Sequence, residues 1–351
     1  MQRSFCSLLV DPVQRQPLTL DTSQPAESCE VVEGHLRAAN GTAYAIRNGI
    51  PRFVAIADTG QIQTKDTFGF LWKTQTTFSS REATGVYAQW LIENYGFGDL
   101  ETCARYFASR RKILDLGCGR GYASAFWLES PQWTGQGAWI GVDISEAVDV
   151  AHQRLGSIAN THFAQADALA LPFADGTFDT IVSQGVLHHT PSTREALLSG
   201  ARVLAPGGEF LFYVYRRKGP LREFADDYIR KQIAPLSDEA AWEAMRSLTS
   251  LGKALAELKI TVTVPEAVPL LGIPAGEFDV QRLVYWNFAK LYWNPALPFE
   301  ENVHVNFDWY RPQYAHRQSA EEVKAWCAEA GLTLQRFHEQ ESGFSVRAMK
   351  A

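Results

Sequence analysis

The chain has 351 residues, long enough for more than one folding unit, and its 46% hydrophobic share is ample for a buried core. Its 33 lysines and arginines against 39 aspartates and glutamates leave a net charge of −6. That balance excludes a protein that grips nucleic acid or another polyanion through a broad basic face. Five cysteines, Cys6, Cys29, Cys103, Cys118 and Cys327, are scattered and odd in number, the pattern of reduced thiols in a cytoplasmic protein. The first ten residues contain SFCSLLV with no sustained apolar core, and no run approaches the roughly 20 apolar residues of a membrane span, so neither a leader nor a membrane partner is expected.

Residues 1–60 read as a small β-rich module. SLLVDPVQRQPLTL, CEVVEGHLRA and GTAYAIRNGIPRFV alternate with period two and are punctuated by Gly41, Asn48-Gly49 and Pro51. The ending YAIRNGIPRFV resembles the zinc-ribbon-like tRNA methyltransferase activator family, a module also found ahead of some methyltransferases. A zinc-binding version carries C-x-x-C in its first turn, where this chain has Asp11 and Gln14. With Cys6 and Cys29 remaining, a four-ligand thiolate site cannot be assembled, so a metal-free structural or docking unit is expected.

Residues 61–110 form a second segment. DTFGFLWKTQTTF, Asp66 to Phe78, is aromatic, and two helical stretches follow over roughly 80–95 and 99–110. Phe68, Phe70 and Trp72 either pack as core or lie across a ligand. SRRK, Ser109 to Lys112, suits the C-terminus of the second helix.

Residues 111–215 carry the chemistry. In KILDLGCGRGYASAFWL the end of a buried strand gives way to a helix, and Gly117, Gly119 and Gly121 occupy the turn between them. A dinucleotide site would carry G-x-G-x-x-G with pyrophosphate on the helix N-terminus. Here the spacing is D-x-G-x-G-x-G, and Asp115 would set a carboxylate beside a polyanion. It suits a cationic or zwitterionic nucleoside with an amino group. AWIGVDIS is a second strand ending at Asp143, where an acid can accept both hydroxyls of a ribose. THFAQADALALPFADGTFDTIVSQGVLHHT holds a strand ending at Asp167 and another, Phe178 to Ser183, followed by Gln184 and Gly185. A helix (194–204), the turn APGG and the strand EFLFYVY complete the set. Three acids at the ends of three successive strands lie where an open α/β sheet takes its ligand.

ILDLGCGRG, GVDIS, ADALALPFADGTFDTIVSQGVLHH and VLAPGGEFLF, in order over roughly Lys112 to Tyr215, resemble the class I S-adenosylmethionine-dependent methyltransferases, particularly those similar to the ubiquinone and menaquinone biosynthesis enzymes. The resemblance implies an α/β fold: a Rossmann-like seven-stranded sheet, here with a β-rich N-terminal module. It implies S-adenosylmethionine as cofactor, with the loop Asp115, Gly117, Cys118, Gly119, Gly121 holding the methionine part. Asp143 and Ile144 would hold the ribose, Asp167 and Ala168 would face the adenine, and Gln184, Gly185 and Val186 would lie near the sulfonium. In resembling enzymes a segment ahead of the first motif closes over the cofactor, which assigns Trp72 to the sulfonium as an aromatic face.

Residues 216–317 exceed a minimal sheet. Pro220 opens an amphipathic helix with Leu221, Phe224, Ala225, Tyr228 and Ile229 on one stripe. A second helix carries Trp242, Met245, Leu248 and Leu255. A third, through DVQRLVYWNFAKLYW, shows Val280, Val284, Asn287, Phe288 and Leu291 on one face and Tyr285, Trp286 and Tyr292 off it. A helix apolar on more than one side is buried on more than one side, against a cavity, a helix or a second subunit, so a homodimer is possible. NFDWYRPQYAHR follows, dense in aromatic and hydrogen-bonding groups. The segment reads as a helical cap over the ligand edge. Residues 318–351 close the sheet, with a helix capped by Ser319 and Glu322 and ended by Gly331, then a hairpin around Ser342-Gly343.

Methyl transfer needs a nucleophile held in line with the sulfur–methyl bond and a group to take its proton. His188, with His189 beside it, and Tyr215, Asp308 and Tyr310 are the candidates. Arg216 or Arg217 suits a substrate carboxylate. No metal-ligand or Ser-His-Asp pattern competes. Three functions remain open: a small-molecule methyltransferase; a cyclase in which the cofactor's own amine expels methylthioadenosine and closes azetidine-2-carboxylate, needing no partner beyond S-adenosylmethionine; and an RNA- or protein-directed methyltransferase docking through the N-terminal module. The charge balance favours a small-molecule partner and no nucleic acid.

Overall fold

The computed structural model describes residues 1–25, 27–55, 58–74 and 81–351, apart from the side chains of 72–74 and 81–84. A 3-10 turn, Arg3–Leu8, precedes β1 (Thr19–Asp21), β2 (Gly34–Arg37), β3 (Ala43–Arg47) and β4 (Ile50–Pro51), an antiparallel sheet in chain order. Asn48 and Gly49, both at positive φ (52° and 75°), make the two-residue turn between β3 and β4, a conformation that Asn-Gly adopts at low cost. Asp11 organises the first turn by hydrogen bonds. Its carboxylate accepts the N–H groups of Val13 (2.9 Å) and Gln14 (2.6 Å) and the hydroxyl of Tyr44 (2.9 Å).

The helices α1 (Thr59–Thr74), α2 (Arg81–Tyr95) and α3 (Leu100–Ala108) lead into the main sheet. Its parallel strands and helices are β5 (Lys112–Leu116), α4 (Tyr122–Leu128), β6 (Ala138–Asp143), α5 (Ala147–Leu155), β7 (Thr161–Gln165), β8 (Phe178–Gln184), α6 (Thr193–Val203) and β9 (Leu204–Tyr215). Asp99 and Ser192 cap α3 and α6 through their side chains. The expected turn APGG is an excursion within β9. Leu204 pairs with Phe178, and the ladder resumes at Glu209 opposite Thr180, while Gly207 supplies the positive φ of 73°.

The cap consists of α7 (Pro220–Ile233), α8 (Asp238–Glu257), the hairpin β10 (Thr261–Val264) and β11 (Gly276–Asp279), α9 (Val280–Asn287) and α10 (Phe299–Tyr310). The chain then forms α11 (Ala320–Glu329), β12 (Leu332–Glu339) and β13 (Gly343–Lys350), and both halves of the capping box at Ser319 and Glu322 are formed. The seven-stranded sheet runs β12-β13-β9-β8-β5-β6-β7, with β13 alone antiparallel to the rest, a Rossmann-like order. Strand order reverses between β5 and β8, and the carboxyl ends of those two strands frame the crevice where such sheets take ligands.

Two sequence expectations fail in the cap. The third helix stops at Asn287, so Leu291 and Tyr292 lie beyond it. Its buried side is Gln281, Tyr285 and Asn287, while Phe288 is 37% exposed, so of the expected stripe within the helix only Asn287 is buried. The reason is polar: Arg222, 1% exposed, lies over the Tyr285 ring at 5.3 Å and donates to the Tyr285 carbonyl. A charged group can therefore sit where the period calls for an aliphatic one. The second miss is α10, whose residues are buried on nearly every side and so show no stripe.

Candidate functional site

The glycine turn is fixed by its surroundings. Gly117 and Cys118 both donate their backbone N–H to the Val142 carbonyl, at 2.7 and 3.0 Å, which folds the loop across the end of β6. Gly117 has φ +82°, and a Cβ there would collide with the Val186 side chain, so the loop and the end of β8 approach closely only because position 117 is bare. Gly121 (φ +73°) begins α4 under Leu155, where a Cβ would stand 2.7 Å from Cδ1.

Around that turn stand the three acids. Asp115 is 4% exposed and accepts from the Ser124 hydroxyl on α4. Burial pushes its carboxyl up to about 7, with the neighbouring Asp143 adding to the rise. Asp143 accepts the Gly119 N–H at 2.9 Å on one oxygen. Its other oxygen takes the Ser145 N–H and hydroxyl at 2.8 and 2.7 Å, and burial raises its pKa. Asp167 accepts the Leu169 N–H at 2.9 Å on one oxygen and the Gln61 side-chain amide at 2.8 Å on the other.

All three border one cavity of about 300 Å³. Its floor is the strand-end set: Asp115, Gly117, Cys118 and Gly119; Asp143 and Ile144; Asp167 and Ala168; Gln184 and Gly185. Gly121 stands back from the wall. Trp72 belongs to α1, but its side chain lies outside the described residues. The roof comes from three places that the motifs do not mark. Helix α1 contributes Gln61, Lys65 and Phe68; α2 and α4 contribute Tyr87 and Phe126; α10 contributes His304, Val305 and Asp308. The i, i+1, i+4 spacing of the last three, 304, 305 and 308, is one face of a helix. That signal was available in the sequence once α10 is taken as helical.

The proton-handling candidates separate by position. His188 is fully buried beneath the cavity, its ring centroid 3.7 Å from that of Tyr215 and neither nitrogen hydrogen-bonded among the described residues. Burial pushes it well below the usual histidine range. His189 lines the cavity in its place. Tyr215 stands one layer behind, its hydroxyl donating to Asp308 at 3.0 Å, and burial holds its phenol well above the usual range. Tyr310 is turned into the cap, where its hydroxyl donates to Asp226 at 2.8 Å and accepts from the Lys290 N–H at 2.9 Å. The structure does not bring it to the cavity. Arg216 and Arg217 are likewise elsewhere, facing Glu339 (3.4 Å) and Glu322 (3.2 Å).

Among known proteins, the chain is 32% identical over 164 residues to the malonyl-[acyl-carrier protein] O-methyltransferase of Erwinia pyrifoliae, 46% of this chain and 59% of that protein. It is 38% identical over 104 residues to the ubiquinone/menaquinone biosynthesis C-methyltransferase of Haemophilus ducreyi, 29% of this chain and 40% of that protein. The chain thus spans about half the length of these curated relatives. The solved structure of the N-methyltransferase NodS from Bradyrhizobium japonicum with S-adenosyl-l-homocysteine is similar at TM-score 0.41 and 16% identity, over 82% of this chain and 98% of that one. Residues 114–212, which run from β5 to β9 and hold all three strand-end acids, match the family described as a methyltransferase domain.

Proposed function

We propose that this chain binds S-adenosylmethionine in the cavity at the β5–β8 crevice and passes its methyl group to a small molecule held beneath the cap. One observation carries the reading: three strand-end carboxylates and a bare glycine turn converge on a single cavity that α1 and α10 roof over. The residues fit the cofactor. Asp115, buried and with no ion pair among the described residues, suits its ammonium group. Asp143 suits the ribose hydroxyls, and Asp167 with the Ala168 N–H suits the adenine edge. S-adenosylmethionine supplies a methyl group on a positively charged sulfur. Phe68, Tyr87 and Phe126 offer aromatic walls to that charge. The helices over the cavity support a small acceptor over a macromolecule, because α10 covers part of it and lies outside the segment matched by the family.

The test is product analysis by mass spectrometry. With S-adenosylmethionine alone the protein should turn over slowly or not at all, since water is a poor nucleophile without activation. S-adenosylhomocysteine should appear when the acceptor is added. Rapid, saturable release of methylthioadenosine with a stoichiometric cyclic amino acid would replace methyl transfer by cyclisation. Homoserine lactone would assign the attack to the cofactor's own carboxylate.

A further inference from the structure

The wall of the cavity formed by His189, Thr190 and Asp308 presents hydrogen-bond acceptors whose hydrogens are already committed. His189 is 6% exposed, and its Nδ1 lies 2.7 Å from the Tyr314 carbonyl oxygen. A carbonyl only accepts, so Nδ1 carries the proton. Burial pushes His189 down to about 4, so near neutral pH the ring has one proton and Nε2 is a bare acceptor. That nitrogen is buried with no hydrogen-bond partner among the described residues. Asp308, on α10, lines the same cavity. One of its oxygens takes the Tyr215 hydroxyl at 3.0 Å, and among the described residues no ion pair neutralises the carboxylate. Thr190 spends its hydroxyl hydrogen on the Leu187 carbonyl at 2.7 Å, leaving its oxygen as a third acceptor on this wall.

Donor counting then sorts acceptor molecules. At this wall a substrate carboxylate brings no hydrogen and meets Asp308 as a like charge, while the cations that line the cavity, Lys65 and Arg120, stand on α1 and in the glycine turn. A hydroxyl brings one hydrogen and leaves the other buried acceptor unsatisfied, at a cost. An ammonium group brings three hydrogens and a positive charge. Resting on the methyl-transfer reading, we propose that the methyl acceptor is a small amine, its nitrogen held between Asp308 and His189.

The step balances. Asp308 takes one proton from the ammonium group and so frees the nitrogen lone pair. A nitrogen–carbon bond forms to the methyl group as the carbon–sulfur bond breaks, with its electron pair left on sulfur. The product is a methylated ammonium ion, and the proton on Asp308 returns to solvent. Asp308 thereby touches the reacting nitrogen, while Tyr215, acting through Asp308, positions it.

The test uses the full chain loaded with S-adenosylhomocysteine, which cannot react, and matched probes on one skeleton: benzylamine, benzyl alcohol and benzoate, then butylamine, butanol and butanoate. Calorimetry should show the amines binding at least roughly tenfold tighter than their alcohol and carboxylate partners. In Asp308→Asn that preference should vanish while S-adenosylhomocysteine affinity is retained, which also reports that the variant is folded. With S-adenosylmethionine, amine turnover should fall on the order of 100-fold in the same variant. Equal or better binding of the alcohols or carboxylates, no amine binding to protein that holds S-adenosylhomocysteine, or an amine preference unchanged in Asp308→Asn would each overturn the assignment. Wild-type protein that binds no S-adenosylhomocysteine would instead remove the cofactor reading beneath it.

Discussion

Asp115 is a carboxylate held out of water before any cation arrives, and that has consequences in pH. Its folded pKa of about 7 lies above the ordinary 3.8 because burial penalises the charge. The unfolded chain therefore ionises first, and the free protein loses stability as pH rises from about 4 to about 7. A bound ammonium group reverses the preference at Asp115, so binding at pH 6 should release a proton. Calorimetry at pH 6 in buffers of different ionisation enthalpy should show that release in the wild type and not in Asp115→Asn. A wild-type binding heat independent of buffer would remove Asp115 from the ammonium site. Asp143 acts differently, because its oxygens already hold the Gly119 N–H and Ser145. Asp143→Ala should cost about 1.5–3 kcal/mol of cofactor affinity, through two unserved ribose hydroxyls and a loosened turn. Asp143→Asn, which keeps the shape, should lose less. The acids were legible in the sequence because each stands within two residues of the end of an apolar strand, although β7 stops at Gln165 and not at Asp167 as the sequence suggested. The roles of His188 and His189 were not, because neighbouring residues on a single 3-10 turn point to different sides, and only tertiary packing says which side faces the cavity.

At the scale of elements, the roof is held by two polar anchors that a hydrophobic pattern cannot reveal. In the cap, Asp226 accepts from Arg222 Nε (2.9 Å), the Trp309 indole (2.8 Å) and the Tyr310 hydroxyl (2.8 Å), joining α7 to α10 in a fully buried cluster. Asp226→Ala leaves the Arg222 charge buried without its partner and should destabilise the protein by about 3–5 kcal/mol, measured by denaturant unfolding. A loss under about 1 kcal/mol would mean that water reaches the cluster. On the lid, Gln61 joins α1 to Asp167, while Gln63 and Thr64 bind the backbone of 311–314 at 2.7–3.2 Å. Gln61→Leu should weaken cofactor binding by roughly 1 kcal/mol, and more for the adenosine form than for an inosine analogue, if the amide orients Asp167 toward the adenine amino group. Calorimetry with the two ligands decides it. The start of α7, the presence of α8 and both ends of α11 could be read from Pro220, the apolar spacing, and the Ser319 box with Gly331. Helix α10 could not, since burial all round erases the periodicity that marks a helix, and β10 and β11 are four-residue strands separated by residues 265–275, too short and too far apart to show a strand period.

As a whole molecule, the chain packs its N-terminal module onto the sheet. Arg52 of the module meets Asp149 of α5 through two hydrogen bonds, at 2.9 and 2.6 Å, and its neighbour Phe53 donates its N–H to the Gln165 carbonyl at 2.8 Å. Phe5 and Leu9 belong to the same apolar core as Leu114, Ile140 and Phe210. Thermal unfolding should then show one transition, and Arg52→Ala should lower its midpoint without creating a second. The seven-stranded sheet and the floor of the cavity were readable from four motifs in order, because strand ends and glycine turns are local. The roof was not, because it is assembled from α1, α2 and α10, which lie far apart in sequence and meet only in the fold. The central claim, that floor and roof together form an S-adenosylmethionine site, rests on one direct measurement. Titration calorimetry of S-adenosylmethionine and S-adenosylhomocysteine into the purified protein should give one site per chain for each ligand, weakened roughly tenfold or more in Asp143→Ala. A folded wild-type protein that binds neither ligand would contradict the account.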